Sequence, residues 1–152
     1  MLAREVMTRE VITVGPEEQV EHVAQLLVEH KISGIPVVDK DGEIMGIVTE
    51  KDLMVKASEF RMPFYLTLFD SIIFLENPIR FSNNLKKYTA VTVKDAMTKK
   101  VFTVGEDEEL SNIVAIMQRH NINRVPVVRN GKLVGIVTRN DIIKSLVKSE
   151  NG

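Results

Sequence analysis

The sequence predicts a mixed α/β fold of the α+β kind: two tandem copies of one small unit, each a β-sheet with two helices packed on one face. Three observations lead to it. The stretch REVMTREVITVG from Arg4 matches KDAMTKKVFTVG from Lys94, and the match runs on to Asp39 over Arg129 at a constant displacement. Each copy carries apolar residues at helical spacing and then short Val/Ile runs at strand spacing. An Asp-Gly or Asn-Gly pair separates those runs in each copy, which is the mark of a β-hairpin.

The elements follow in order. After Val14-Gly15, the residues Val20, Val23, Ala24 and Leu27 form one apolar helical stripe, repeated by Leu110, Ile113, Val114 and Met117. Pro16 suits a first helical position, and Glu17 and Glu18, like Glu106 to Glu109, are expected in a first turn where the helix dipole favours acids. Next come Ile35 to Val38 and Val125 to Val128, then the turn, then Ile44 to Val48 and Leu133 to Val137. One residue is lost in the second turn, where Asp39-Lys40-Asp41-Gly42 becomes Arg129-Asn130-Gly131; a turn absorbs such a change without disturbing flanking strands. Thr49 and Thr138 open a second helix. The expected order per copy is a short strand, a helix, two strands and a helix, with copy 1 over residues 1–57 and copy 2 over 91–152. A unit of this size leaves much apolar surface wet on its own, so the copies are expected to pack about a pseudo-twofold axis.

Composition narrows the function classes. Hydrophobic residues make up 44% and charged residues 27%, as in soluble domains. The net charge of −1, from 20 basic and 21 acidic side chains, provides no global field for nucleic acid or an anionic membrane. The absence of cysteine removes disulfides, thiolate metal sites and cysteine nucleophiles, and a reducing cytoplasm is the simplest expected location. The most apolar stretch, Met62 to Leu75, is interrupted by Asp70 and is too short to cross a bilayer. Arg4, Glu5, Arg9 and Glu10 stand where a signal peptide would be apolar.

Residues 58–90 have no counterpart in either copy. They hold Phe60, Phe64, Phe69, Phe74, Phe81, Tyr65 and Tyr88, divided by Pro63 and Pro78, with a short helix expected over 83–87. This is too apolar for a free linker. A lid packed on its own module is the favoured expectation, and an association surface is the alternative.

The Thr-x-x-Asp motifs, Thr49 with Asp52 and Thr138 with Asp141, have a purely structural reading as helix capping boxes. Their functional reading uses each carboxylate as a two-acceptor partner for the vicinal hydroxyls of a ribose, as an acid does in dinucleotide folds. Pro36 and Pro126 stiffen the approach to a buried strand.

The run from His30 to Val38 with Gly46 to Asp52, and again His120 to Val128 with Gly135 to Asp141, closely resembles the CBS-domain family, named after cystathionine β-synthase. The likeness covers everything but about residues 58–90. It implies a Bateman module, which commonly dimerises and binds AMP, ADP, ATP or S-adenosylmethionine in clefts between its halves. In the family the aspartate takes the ribose, and the residues before the proline line the adenine pocket. Here those are Ser33, Gly34 and Ile35, or Asn123, Arg124 and Val125. Resemblance to the nucleotide-sensing subunit of AMP-activated kinase places His30 and Lys31, and less fully His120 and Asn121, at phosphate contacts. By the same likeness Thr138 and Asp141 work with Thr13, His30, Lys31, Ser33 and Ile35, while Thr49 and Asp52 work with Thr103, His120, Arg124 and Val125. Arg124 in place of Gly34 makes the clefts inequivalent. For the histidines the alternative is capping of helix C-terminal carbonyls; for Arg124 and Arg139 it is a solvated charge.

No catalytic constellation is present: His22, His30 and His120 lack zinc spacing, and there is no nucleophile elbow or phosphate-binding glycine loop. The expectation is a non-enzymatic, homodimeric sensor of an adenine nucleotide that reports to a protein target, with no metal and no catalytic cofactor. The alternatives are a ligand-free dimerisation or interaction scaffold and, with little support, a weak nucleic-acid binder.

Overall fold

The structure, a computed structural model, describes residues 1–59, 66–67, 71–72 and 91–149. The aromatic residues expected to build a lid or association surface, and the helix expected over 83–87, lie outside the described residues. Within 58–90 a two-residue strand pair is described, β3 (Leu66–Thr67) antiparallel to β4 (Ser71–Ile72).

In the first copy the elements are α1 (Ala3–Val6), α2 (Val20–His30), β1 (Gly34–Val38), β2 (Ile44–Thr49) and α3 (Glu50–Glu59). In the second they are α4 (Val93–Ala96), β5 (Val104–Gly105), α5 (Leu110–His120), β6 (Arg124–Arg129), β7 (Lys132–Thr138) and α6 (Arg139–Ser149). The helix stripes fall as their spacing predicts. Val20, Val23 and Leu27 of α2 and Ile113 and Met117 of α5 are buried. Strand β5 runs parallel to β6, and β6 antiparallel to β7; in the first copy β1 pairs with β2, and Val14 makes a single parallel bridge to Val37. Asn130 and Gly131 both have positive φ, 52° and 78°, and link Arg129 to its partner Lys132. That is a type I′ turn, whose twist suits a hairpin.

Two details differ from the sequence reading. Helix α2 starts at Val20, not Pro16, and α5 starts at Leu110 with no acid in its first turn. The residues before them form a separate turn instead, with the Glu18 N–H on the Gly15 carbonyl and the Glu108 N–H on the Gly105 carbonyl, followed by an extended N-cap. Val20 N–H then bonds to the Val91 carbonyl and Val93 N–H to the Glu18 carbonyl, just as Leu110 N–H bonds to the Met1 carbonyl and Ala3 N–H to the Glu108 carbonyl. The short helices α1 and α4 were not anticipated, since four residues carry too little periodicity to read.

The described chain divides into two compact units, and they interleave the sequence. One, the repeat-2 unit, comprises Met1–Ile12, Lys40–Ile44 and Lys100–Gly152; the other, the repeat-1 unit, comprises Thr13–Asp39 and Met45–Lys99. The segment that opens each repeat thus joins the unit formed by the other. In the repeat-2 unit Ala3 and Met7 share one core with Val104, Ile113, Met117, Val125, Val127 and Val137. Thr8 bridges Ile136 through N–H···O bonds of 2.9 and 3.0 Å. In the repeat-1 unit Thr98 bridges Ile47 in the same manner, at 2.9 and 2.8 Å.

Glycine makes these dockings possible. A Cβ on Gly46 would sit 2.8 Å from both the Met97 sulfur and the Thr98 carbonyl oxygen, whereas at Gly135 the Thr8 carbonyl would be 3.2 Å away and the tightest contacts are with the flexible end of Met7. A side chain end can yield and a bridged carbonyl cannot. Gly46→Ala is therefore expected to cost roughly 1–3 kcal/mol, and Gly135→Ala less. Urea unfolding of the two variants measures both values and their order.

Candidate functional site

Each Thr-x-x-Asp motif lies at a strand-to-helix junction: Thr49 ends β2 before α3, and Thr138 ends β7 before α6. A helix start leaves backbone N–H groups without intrahelical partners, and a short oxygen-bearing side chain nearby supplies them. Asp52 Oδ2 accepts the Thr49 backbone N–H at 2.8 Å and the Thr49 hydroxyl at 3.1 Å. Asp141 Oδ2 accepts the Thr138 N–H at 2.8 Å and its hydroxyl at 2.7 Å, and the Asp141 N–H donates back to Thr138 Oγ1 at 3.2 Å. The capping-box reading is therefore realised, reciprocally in the second copy.

Capping uses one oxygen of each carboxylate. The other accepts a hydroxyl that sequence reasoning missed: Thr98 Oγ1 donates to Asp52 Oδ1 at 2.9 Å, and Thr8 Oγ1 donates to Asp141 Oδ1 at 3.3 Å. The signal was present, because Met7-Thr8 and Met97-Thr98 are identical in both copies, yet it served only as a landmark of the repeat.

The pocket strands meet these junctions within each unit. The N–H of Glu50 donates to the Ser33 carbonyl at 3.0 Å, and that of Arg139 to the Asn123 carbonyl at 2.8 Å. Gly34, Ile35 and Pro36 are buried, as are Val125 and Pro126, while Arg124 is half-buried and Asn123 exposed. Ile35 and Val125 have their side chains fully in the core, which takes those side chains out of any contact with solvent.

His30 and His120 close α2 and α5, and the residues after them, Lys31 and Asn121, take the left-handed conformation at φ 52°. The N–H groups of Lys31 and Asn121 cap the last carbonyls, so the capping that was the alternative reading of the histidines is performed by their neighbours' backbone. All four side chains are exposed, as are Thr13, Thr103 and Arg139. The two copies diverge here. The His120 ring stacks on Phe102, with centroids 3.7 Å apart and planes 18° from parallel, and Lys100 Nζ lies 5.5 Å from the same Phe102 ring. At the aligned positions of the first copy stand Ile12 and Glu10.

Beside β5, Glu106 is held by the Arg129 guanidinium through Nε and, at 2.6 Å, through Nη2. Hydrogen bonding from Arg129 holds the Glu106 carboxyl below its ordinary value of 4.5, against the effect of burial, with the charges of Arg129, Arg9 and Arg4 adding to it; Glu106 raises Arg129 in return. Among the described residues no group of three or more acidic or histidine side chains is arranged to hold a metal, and no helix is long and apolar enough to cross a membrane. A surface concavity of about 530 Å³ is lined by Glu50, Lys51, Met54 and Val55 of α3, none of them a residue singled out from the sequence.

A family model described as the CBS domain matches residues 3–59 and again 93–148, covering both sets of junctions and pocket strands. The chain belongs to the CBS-domain family. Among the relatives, protein MJ1426 of Methanocaldococcus jannaschii is 32% identical over 155 residues, which span 97% of this chain and 92% of that protein. The CBS domain of a CBS domain-containing membrane protein from Sphaerobacter thermophilus superposes with a TM-score of 0.74 at 30% identity, covering 95% of this chain and 86% of that one. The CBS domain pair of protein MJ0100, solved with 5′-methylthioadenosine and S-adenosylmethionine, gives a TM-score of 0.71 at 26% identity over 98% of each chain.

The Glu106–Arg129 pair makes acid stability a direct test of this region. Because folding lowers the Glu106 pKa, the pair's contribution is complete above about pH 4.5 and is lost as pH falls through the lower folded value. Thermal melts between pH 7 and pH 3 are expected to show Glu106→Gln closing its gap to the wild type as the pH falls. A gap independent of pH would remove the pair from the account.

Proposed function

We propose that this CBS-domain chain is a regulatory module that binds an adenosine ligand, AMP, ADP, ATP or S-adenosylmethionine, and reports its presence to a protein target without catalysing a reaction. The observation that carries the proposal is the duplicated junction: a Thr-x-x-Asp carboxylate held in the same way at a helix start, against the residue that precedes a buried pocket strand, in both units. A diol needs an acceptor whose position is fixed before the ligand arrives, and a capping carboxylate has that property. The likeness to a CBS domain pair solved with two adenosyl compounds supports the ligand class.

The proposed ribose contacts are Asp52 and Asp141, with Thr49 and Thr138 beside them. The proposed base contacts are the backbone around Ser33, Gly34, Ile35 and Pro36 and around Asn123, Arg124, Val125 and Pro126. Thr13, His30, Lys31, Thr103, His120 and Arg139 are proposed for the phosphate side, and their exposure leaves them free to face a solvated anion. The stacked His120 and Phe102 with Lys100 close by make the second copy's surroundings the more cationic and aromatic. This favours a phosphorylated ligand there. A homodimer is proposed because α6 exposes Ile143, Leu146 and Val147 by half or more, and α3 exposes Met54 and Val55 similarly.

Thermal melts with each adenosine compound test the proposal, since ligand at about 100 times its dissociation constant adds ~2.7 kcal/mol when it binds only the folded form. A ligand-free scaffold would melt at one temperature throughout. By titration calorimetry, Asp52→Asn and Asp141→Asn are each expected to weaken binding by roughly ten- to a hundredfold, the worth of a hydrogen bond to a charged group, while the amide oxygen still caps the helix. Unchanged affinity in both variants would remove the carboxylates from the site.

A further inference from the structure

Both aspartates are already close to full as hydrogen-bond acceptors. An ionised carboxylate has about four lone-pair positions. Asp141 uses three of them, for the Thr138 N–H and hydroxyl on Oδ2 and for the Thr8 hydroxyl on Oδ1. Asp52 uses three in the same pattern, with Thr49 on Oδ2 and Thr98 on Oδ1. Among the described residues no further donor is recorded, so one position, on Oδ1, stays open in each.

A ribose brings two adjacent hydroxyls, so a diol that engages one carboxylate through both must displace a resident donor. The residents differ in how readily they leave. The donors on Oδ2 come from the junction itself, and one of them is a backbone N–H fixed by the helix start. The donor on Oδ1 is a side-chain hydroxyl of an exposed residue, which finds water as soon as it rotates away. Its residue belongs to an opening segment docked through backbone bonds, Thr8 to Ile136 and Thr98 to Ile47, and those bonds do not require the hydroxyl.

Resting on the adenosine reading above, we infer that Thr8 and Thr98 set the affinity of Asp141 and Asp52 for a ribose diol by occupying the acceptor position that the second ligand hydroxyl needs. Ligand and docked threonine compete for one oxygen. Binding therefore releases a threonine side chain of the opening segment while its backbone dock stays in place. The arrangement occurs twice, in two separately packed units built from different stretches of chain, which is what a property of the motif requires.

The test compares Thr8→Val, Thr98→Val and the double variant with the wild type by titration calorimetry. Valine keeps the shape and the strand preference while removing the hydroxyl. The probes are AMP and 5′-methylthioadenosine, each beside its 3′-deoxy counterpart, which brings one hydroxyl and needs one acceptor. Valine is expected to tighten the diol ligands by roughly two- to tenfold, the worth of one net hydrogen bond, to leave the deoxy ligands unchanged, and to be reversed by Thr8→Ser and Thr98→Ser. A weaker or unaltered diol ligand in the valine variants, or equal shifts for diol and deoxy ligands, overturns the inference while the adenosine reading stands. Binding that emerges only in the double variant upholds the inference, because it shows the threonines masking the site. No binding in either protein overturns both.

Discussion

Everything else in this molecule depends on a close backbone contact between each opening segment and a glycine of a hairpin strand. Gly46 lets Thr98 pair with Ile47, and Gly135 lets Thr8 pair with Ile136; in both places a methyl group would press on the incoming segment. The contact does two things. It carries Ala3 and Met7 into the core beside Ile113, Met117 and Val137, and it delivers a threonine hydroxyl to each capping aspartate. Packing and the hydrogen bonding of the two capping carboxylates thus share one docking event.

The strand-to-helix junction shows how little special chemistry such a site needs. A threonine ends a strand, the next residue's N–H bonds back to the carbonyl before the pocket strand, and an aspartate three positions on caps the helix. Each of these bonds would form in a protein with no ligand at all. What turns the junction into a candidate site is leftover capacity, one acceptor position on an oxygen that faces a replaceable partner. The stack of His120 on Phe102 then marks one copy off from the other, since Ile12 gives the first copy no ring at that position.

Much of this was legible in the sequence, and the limits have physical causes. The duplication, the helix stripes, the hairpins and the Asn130-Gly131 turn were readable because periodicity and turn chemistry are local. The capping role of Asp52 and Asp141 was readable for the same reason. The helix starts were misplaced because Pro16 and the acids near Glu18 and Glu106 favour a first turn locally; they do close a turn, but bridges of Gln19 to Thr92 and of Glu109 to Leu2 then keep the chain extended until Val20 and Leu110. Thr8 and Thr98 escaped notice because their partners lie far off in the chain, Asp141 for one and Asp52 for the other. The Phe102–His120 stack is equally invisible to any local pattern.

The interleaving of the two units bears on how the chain is made. The repeat-1 unit includes residues up to Lys99, so it lacks a piece until the ribosome has read the opening segment of the second copy. The repeat-2 unit in turn waits with Met1–Ile12 already synthesised and without a partner until Lys100–Gly152 has emerged. Neither copy can mature alone at its turn during translation. Loops closed over such distances cost entropy before any contact repays it, and chains with non-local contacts fold slowly for that reason. Gene duplication here produced two modules, each of which is completed by a piece of the other's copy.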